Sequence, residues 1–234
     1  MKLGLVLECD TGGPDELVLT CFARRLCWGI TVQPTSLGDK PTVFSRGAEA
    51  ARNLIEINRC DLVLIVWDLK PYFEGPPPAR RCEDEAAMML ERLKTVPTPT
   101  RAKIKLLCLT WEIETWLLAD DAAVRAHLST GAHGANFRCS APMSKSDAKA
   151  TLDRACKAHR GRHRGYDDFH EAILIACQIT RTNKVRRVPS FARFAELIAG
   201  SDTAEFQDTS KVCRDLIHTA RQLGRSLPST HGKS

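Results

Sequence analysis

Asp61-Leu62-Val63-Leu64-Ile65-Val66-Trp67 decides the fold. Its apolar residues run without the alternation of a half-exposed strand, as expected of a central parallel strand covered on both faces. Similar but weaker runs lie at Leu3–Leu7, Ile30–Val32 and Ile104–Leu109. Between them, apolar residues recur at three- and four-residue spacings, predicting helices at Asp15–Cys27, Ser45–Asn58 and Glu83–Lys94, with a loop at 71–78. A further helical stretch, Glu112–Leu128, follows the fourth run. Alternating strands and helices imply an α/β domain over residues 1–130, with a mostly parallel sheet and helices on both faces. After Gly131 the strand signal stops. Helices are predicted at Ser144–His159, Tyr166–Thr180, Ser190–Ala199 and Thr203–Leu223, giving a helical subdomain over 131–225 and a polar, frayed tail over 226–234.

The chain has 234 residues and a formal charge of +6, but that charge is unevenly spread. From Arg138 to Arg193 there are 13 Lys or Arg against 5 Asp or Glu. A basic stretch beside an acidic one suits a polyanionic partner, and Lys40, Lys145, Arg160, Arg162, Arg164, Arg186 and Arg187 are the candidate phosphate-binding side chains. No apolar run approaches the ~20 residues that span a bilayer, and Leu3–Leu7 is too short for a signal peptide. The ten cysteines contain no Cys-x-x-Cys pair and several lie in apolar segments, so reduced core thiols in a cytoplasmic protein are expected.

In open α/β sheets, sites form beyond the carboxyl ends of the strands. Acids stand at three such ends: Glu8 with Asp10 and Asp15, Asp68, then Glu112 and Glu114. Oxygen-only ligands of this kind suit Mg²⁺ or Mn²⁺, which take carboxylates, water and phosphate oxygens. The seven histidines have no zinc spacing, and the chain lacks the Walker A, G-x-G-x-x-G and G-x-S-x-G motifs. Thr11-Gly12-Gly13 is read as a tight turn, and Trp67, Trp111 and Trp116 as core packing.

At these residues the chain resembles the Toprim (topoisomerase-primase) superfamily, and within it an uncharacterised bacterial group related to OLD-type nucleases. The matching stretches are LVLECDTGGPDELVLTCFARRL, LGDKP, DLVLIVWDLKP, RCEDE, EIETWLLAD, RGYDDFHEAI and VPSFARF, between Leu5 and about Leu197. The resemblance implies a metal-dependent nuclease, cytoplasmic in bacteria, that acts as the effector of an anti-phage complex with an ABC- or AAA-type ATPase. Carried over by position, Glu8 is the general acid/base or metal-linked glutamate and Asp68 a Mg²⁺ ligand. Glu112 or Glu114 completes the set, which makes Glu8, Asp68, Glu112 and Glu114 the candidate catalytic residues. A Toprim Asp-x-Asp needs an acid at position 70, where this chain has Lys70. Either Glu83, Asp84 or Glu85 replaces it, with Asp84 the assigned ligand beside Glu8, Asp68 and Glu112, or the metal site is incomplete. Cys9 stands where a Gly commonly follows the first Glu. The alternative reading is a non-catalytic Toprim-like scaffold that docks on an ATPase.

Overall fold

The computed structural model describes residues 1–70, 81–129, 136–144, 147–200, 205–207 and 210–226. Its first half alternates β1 (Lys2–Leu7), α1 (Pro14–Leu26), β2 (Thr31–Ser36), α2 (Lys40–Glu56), β3 (Leu62–Asp68), α3 (Cys82–Leu93), the single turn α4 (Thr98–Arg101) and β4 (Ile104–Leu109). Helices follow: α5 (Glu114–Leu118), α6 (Asp121–Leu128), a 3-10 turn at Pro142–Ser144, α7 (Ala148–Arg160), α8 (Asp168–Gln178), α9 (Thr182–Val185), α10 (Pro189–Ala199) and α11 (Ser210–Ser226). The expected α/β class with a helical C-terminal part is therefore present. The predicted loop at 71–78 and most of the tail lie outside the described residues.

The four strands are all parallel, in the order β2-β1-β3-β4. β3 is central and buried over Val63–Trp67, as its unbroken apolar run requires. Successive side chains point to opposite faces. Leu3, Leu5, Leu7, Leu64 and Val66 face one way, onto a core shared with α1, α5, α8, α10 and α11. Val6, Val63, Ile65 and Trp67 face the other, against α2 and α3. Gly4 belongs to the second face, where a Cβ would stand 2.8 Å from Val63 Cγ2 and 3.0 Å from Leu54 Cδ1. Its lack of a side chain lets α2 lie close to the sheet. β2 is an edge strand that pairs only with β1, and it contains Pro34.

The single helix expected over Glu112–Leu128 is two. The chain breaks at Asp120, whose carboxylate accepts from the Ala122 amide at 3.1 Å and so caps α6. The expectation of ten reduced thiols is corrected at one place, because Cys82 at the start of α3 is disulfide-bonded to Cys108 of β4. The two elements pack together and bring the Cα atoms to 5.6 Å, a proximity that 26 residues of separation do not announce. None of the other eight cysteines is in a disulfide, and Cys21, Cys60, Cys156 and Cys213 are buried. Trp67 and Trp116 are buried as read: Trp116 lies among Phe22, Phe191 and Phe194, and its indole N–H donates to Ser190 Oγ at 2.9 Å. Among the described residues, no helix is long and apolar enough to cross a membrane.

Candidate active site

The strand order reverses between β1 and β3, since the chain leaves β1 for β2 on one side and then crosses to β3 on the other. Such a switch point opens a crevice at the carboxyl ends of the two strands. Glu8 and Asp68 stand at those two ends, joined by the Asp68 amide, which donates to Glu8 Oε2 at 3.1 Å. Asp15 arrives on the first turn of α1, and Glu112 and Glu114 arrive just beyond β4. The helical part adds Asp168 at the start of α8 and Lys149 from α7, whose ammonium bonds the Asp168 carboxylate.

The electrostatics show that these carboxylates share one site. Burial, opposed by Lys40 and the Asp68 amide and reinforced by the charge of Asp15, raises Glu8 to about 7. Burial and the charge of Asp168 raise Asp15 to about 6. Burial and the charges of Asp15, Glu8, Glu114 and Glu112 hold Asp68 well above the ordinary carboxylate range. Glu114, 4% exposed, is pushed up to about 8 by burial and by Asp15. Burial works against the charge of Lys149, yet its bond to Asp168 and the neighbouring glutamates hold it above its usual value. Tyr166 precedes α8, and its Oη is buried with no hydrogen-bond partner among the described residues. Burial, then Glu114 and Asp168, raise its phenol, so it stays a neutral donor.

The donor set fits a hard cation. It is all oxygen, and the mutual repulsion of its carboxylates is what a divalent ion relieves. The carboxylates converge without closing: among the described residues, no three of their oxygens come within 4.8 Å of one another. That spacing suits an ion held by one or two carboxylates with water and phosphate oxygens completing the shell.

Glu8, Asp68, Glu112 and Glu114 are thus brought together, with Glu112 also accepting the Lys149 amide at 3.0 Å. Asp84 is not among them. It is exposed at the start of α3 and accepts the Arg81 amide at 2.9 Å, a helix-capping role. Its neighbour Glu85 is fully buried and binds Lys40 at 3.3 Å and the Trp67 indole N–H at 2.8 Å. Lys40 also donates to the Leu69 carbonyl at 2.8 Å, which makes it an internal counter-charge close to Glu8. Lys70 has its ammonium 4.2 Å from the centre of the Trp111 ring. Cys9 lies 3.8 Å from Ser36 Oγ, and burial and Asp15 push its thiol up to about 12, too high for a nucleophile.

The Thr11-Gly12-Gly13 segment is a turn, as read. Gly12 has φ +73°, its amide donates to Glu16 Oε2 at 3.0 Å, and the Gly13 amide donates to the Asp10 carbonyl at 2.9 Å. Both amides are therefore already bonded.

Of the basic residues, Arg160 is tied to Glu171 and lies 3.0 Å from His127 Nε2. Burial opposes the Glu171 charge, but the bonds from His127 and Arg160 prevail and bring its carboxyl down to about 2. Arg162, Arg164 and Arg187 are exposed, and Arg186 is half-buried. Arg160 and Arg164 line an open groove with His127, His159 and Gly165, the last adjoining Tyr166. Lys145 lies outside the described residues. Lys149, Lys157, Lys184 and Arg193 pair with carboxylates, so part of the basic surplus is internal.

The sequence does not mark Asp168, Lys149 or Tyr166 as site residues, and Asp15 stands out in it only as a neighbour of Glu8. The signal for the missing residues lies in RGYDDFHEAI, whose paired aspartates split between the N-cap of α8, Asp167, and the site, Asp168. No family model, curated protein or solved structure matches the chain.

Proposed function

We propose that the protein is a Mg²⁺- or Mn²⁺-dependent nuclease that hydrolyses phosphodiester bonds of DNA or RNA at the β1–β3 switch point. The observation that carries this reading is the gathering of Glu8, Asp15, Asp68, Glu112, Glu114 and Asp168 beyond the carboxyl ends of the strands, with Lys149 paired to one of them. Glu8 and Asp68 are the residues to hold the ion directly, with Glu112 reaching it through a bound water. When bound, it supplies polarisation of a phosphoryl oxygen and a lowered water pKa. Tyr166 offers a buried hydroxyl with no acceptor among the described residues, suited to an incoming phosphate oxygen. The open groove lined by Arg160 and Arg164, next in sequence to Tyr166 through Gly165, supports a path for the phosphate backbone.

The same residues carry the resemblance to Toprim-like nucleases, which extends the proposal to an ABC- or AAA-type ATPase partner in a bacterial cytoplasm. The test is cleavage of supercoiled plasmid and of single-stranded RNA with Mg²⁺, Mn²⁺ or EDTA. Cleavage is expected to need the metal and to fall at least ~10²-fold in Glu8→Gln and in Asp68→Asn. Asp168→Asn is expected to follow them, which the resemblance alone does not require. Undiminished cleavage in both of the first two variants removes the proposed site.

A further inference from the structure

A second cluster lies on the side of α1 that faces the helical part. Helices α1, α8 and α11 pack on one another, and each brings one cysteine to a common point. The Sγ atoms of Cys21, Cys177 and Cys213 all lie within 4.8 Å of one another, and Cys21 and Cys177 are 3.9 Å apart. Cys21 is fully buried, Cys213 nearly so and Cys177 half-buried. With metal–sulfur bonds of about 2.3 Å, thiolates on a tetrahedral or trigonal ion stand about 3.8 to 4.0 Å apart. The observed separation needs little adjustment to reach that.

Charge supplies an independent argument. Arg25 lies one turn beyond Cys21 on α1 and is 2% exposed. Its guanidinium donates to the Ala176 carbonyl at 2.6 Å and to the Ile179 carbonyl, and it lies 4.2 Å from the centre of the Phe206 ring. Among the described residues its buried Nε has no hydrogen-bond partner and no carboxylate pairs with it. A buried cation without an anion is costly. Three neutral thiols do not answer that charge, whereas three thiolates around a monovalent or divalent cation leave a net negative cluster beside it.

We propose that Cys21, Cys177 and Cys213 form a trithiolate site for a thiophilic cation, Zn²⁺ or Cu⁺, that fastens α11 to α1 and α8. Soft sulfur ligands select these ions over Mg²⁺, so the site is separate in chemistry as well as place from the carboxylates. Among the described residues, no histidine or carboxylate joins the cluster, which leaves Cu⁺ three-coordinate and Zn²⁺ a position for water. Binding displaces the thiol protons and draws its free energy into the docking of α11. Near its other end α11 presses Leu223 against the Gly12 turn beside the acidic site.

The test uses the full chain, purified anaerobically and reduced. Zn²⁺ and Cu⁺ are titrated separately against chromophoric competitors, and Co²⁺ is used to read sulfur-to-metal charge transfer. One equivalent of Zn²⁺ or Cu⁺ is expected to bind, to raise the thermal midpoint and to shield Cys177 from alkylation. Binding should vanish in Cys177→Ser and persist in Cys27→Ser, which changes a thiol outside the cluster. The alkylation readout is made on the unaltered protein, so it decides the matter even if Cys177→Ser does not fold. Absence of binding by both ions, binding that survives Cys177→Ser, or a Cys21–Cys177 disulfide in the anaerobic protein overturns the proposal.

Discussion

Glu114 shows what the acidic site does to the stability of the chain. Its carboxyl is held up at about 8 by burial and by Asp15, whereas in the unfolded chain it titrates near its ordinary value. As pH rises between those values the unfolded chain loses this proton and the folded chain keeps it. Stability therefore falls through that window. Glu114→Gln removes the titration at nearly constant volume. The variant is expected to be more stable than the parent at pH 8 to 9, by an amount on the order of a few kcal/mol, with the gap closing towards pH 4 to 5. Urea unfolding at the two pH values measures it. Under the proposed function, Mg²⁺ should raise the thermal midpoint of the parent at pH 8 more than that of the variant. Residue identity was legible in the sequence for Glu8, Asp68, Glu112 and Glu114, because each follows an apolar strand. Asp15, Lys149, Tyr166 and Asp168 were harder to find, since a helix start reads the same whether its acid caps the helix or faces a site. Asp84 is the converse case: it was read as a ligand and it caps α3.

At the scale of elements, β4 stands where its apolar run ends on both sides, while α2 begins five residues before the periodic stretch. Asp39 accepts the Thr42 amide at 2.7 Å and Pro41 occupies the first turn, so capping set that boundary. The break at Asp120 was hidden because apolar spacing continues through it. Contacts between distant elements left no local trace, and the one between α11 and the turn before α1 has a measurable consequence. A Cβ at Gly12 would stand 2.5 Å from Leu223 Cδ1, on a backbone with φ +73°. Gly12→Ala should therefore destabilise by about 1 to 3 kcal/mol. Adding Leu223→Ala should recover the steric part and leave the conformational part. A double-mutant cycle in urea separates the two, and additive effects would show that α11 does not press on this turn.

For the whole molecule, the core that covers one face of the sheet also contains residues of α5–α11. Leu5, Phe22, Trp116, Ile175, Phe191 and Leu216 belong to one continuous cluster. The chain is accordingly expected to unfold in one step, with tryptophan fluorescence and far-ultraviolet circular dichroism giving coincident urea transitions. A resolved first phase in which helix signal is lost while the environments of Trp67 and Trp116 persist would contradict this. The class of the fold was legible because strand and helix periods differ. The sharing of one core was not, because the strand signal stops at Gly131 while one core joins residues from both halves of the chain. Pro34 acts at the level of populations of molecules. β2 is one of the sheet's two edges, and a proline there deprives any strand approaching it of one amide donor in the middle of the ladder. A second chain therefore meets a gap where it would otherwise extend the sheet, and crowding many copies together is less apt to turn this edge into the seed of a fibril.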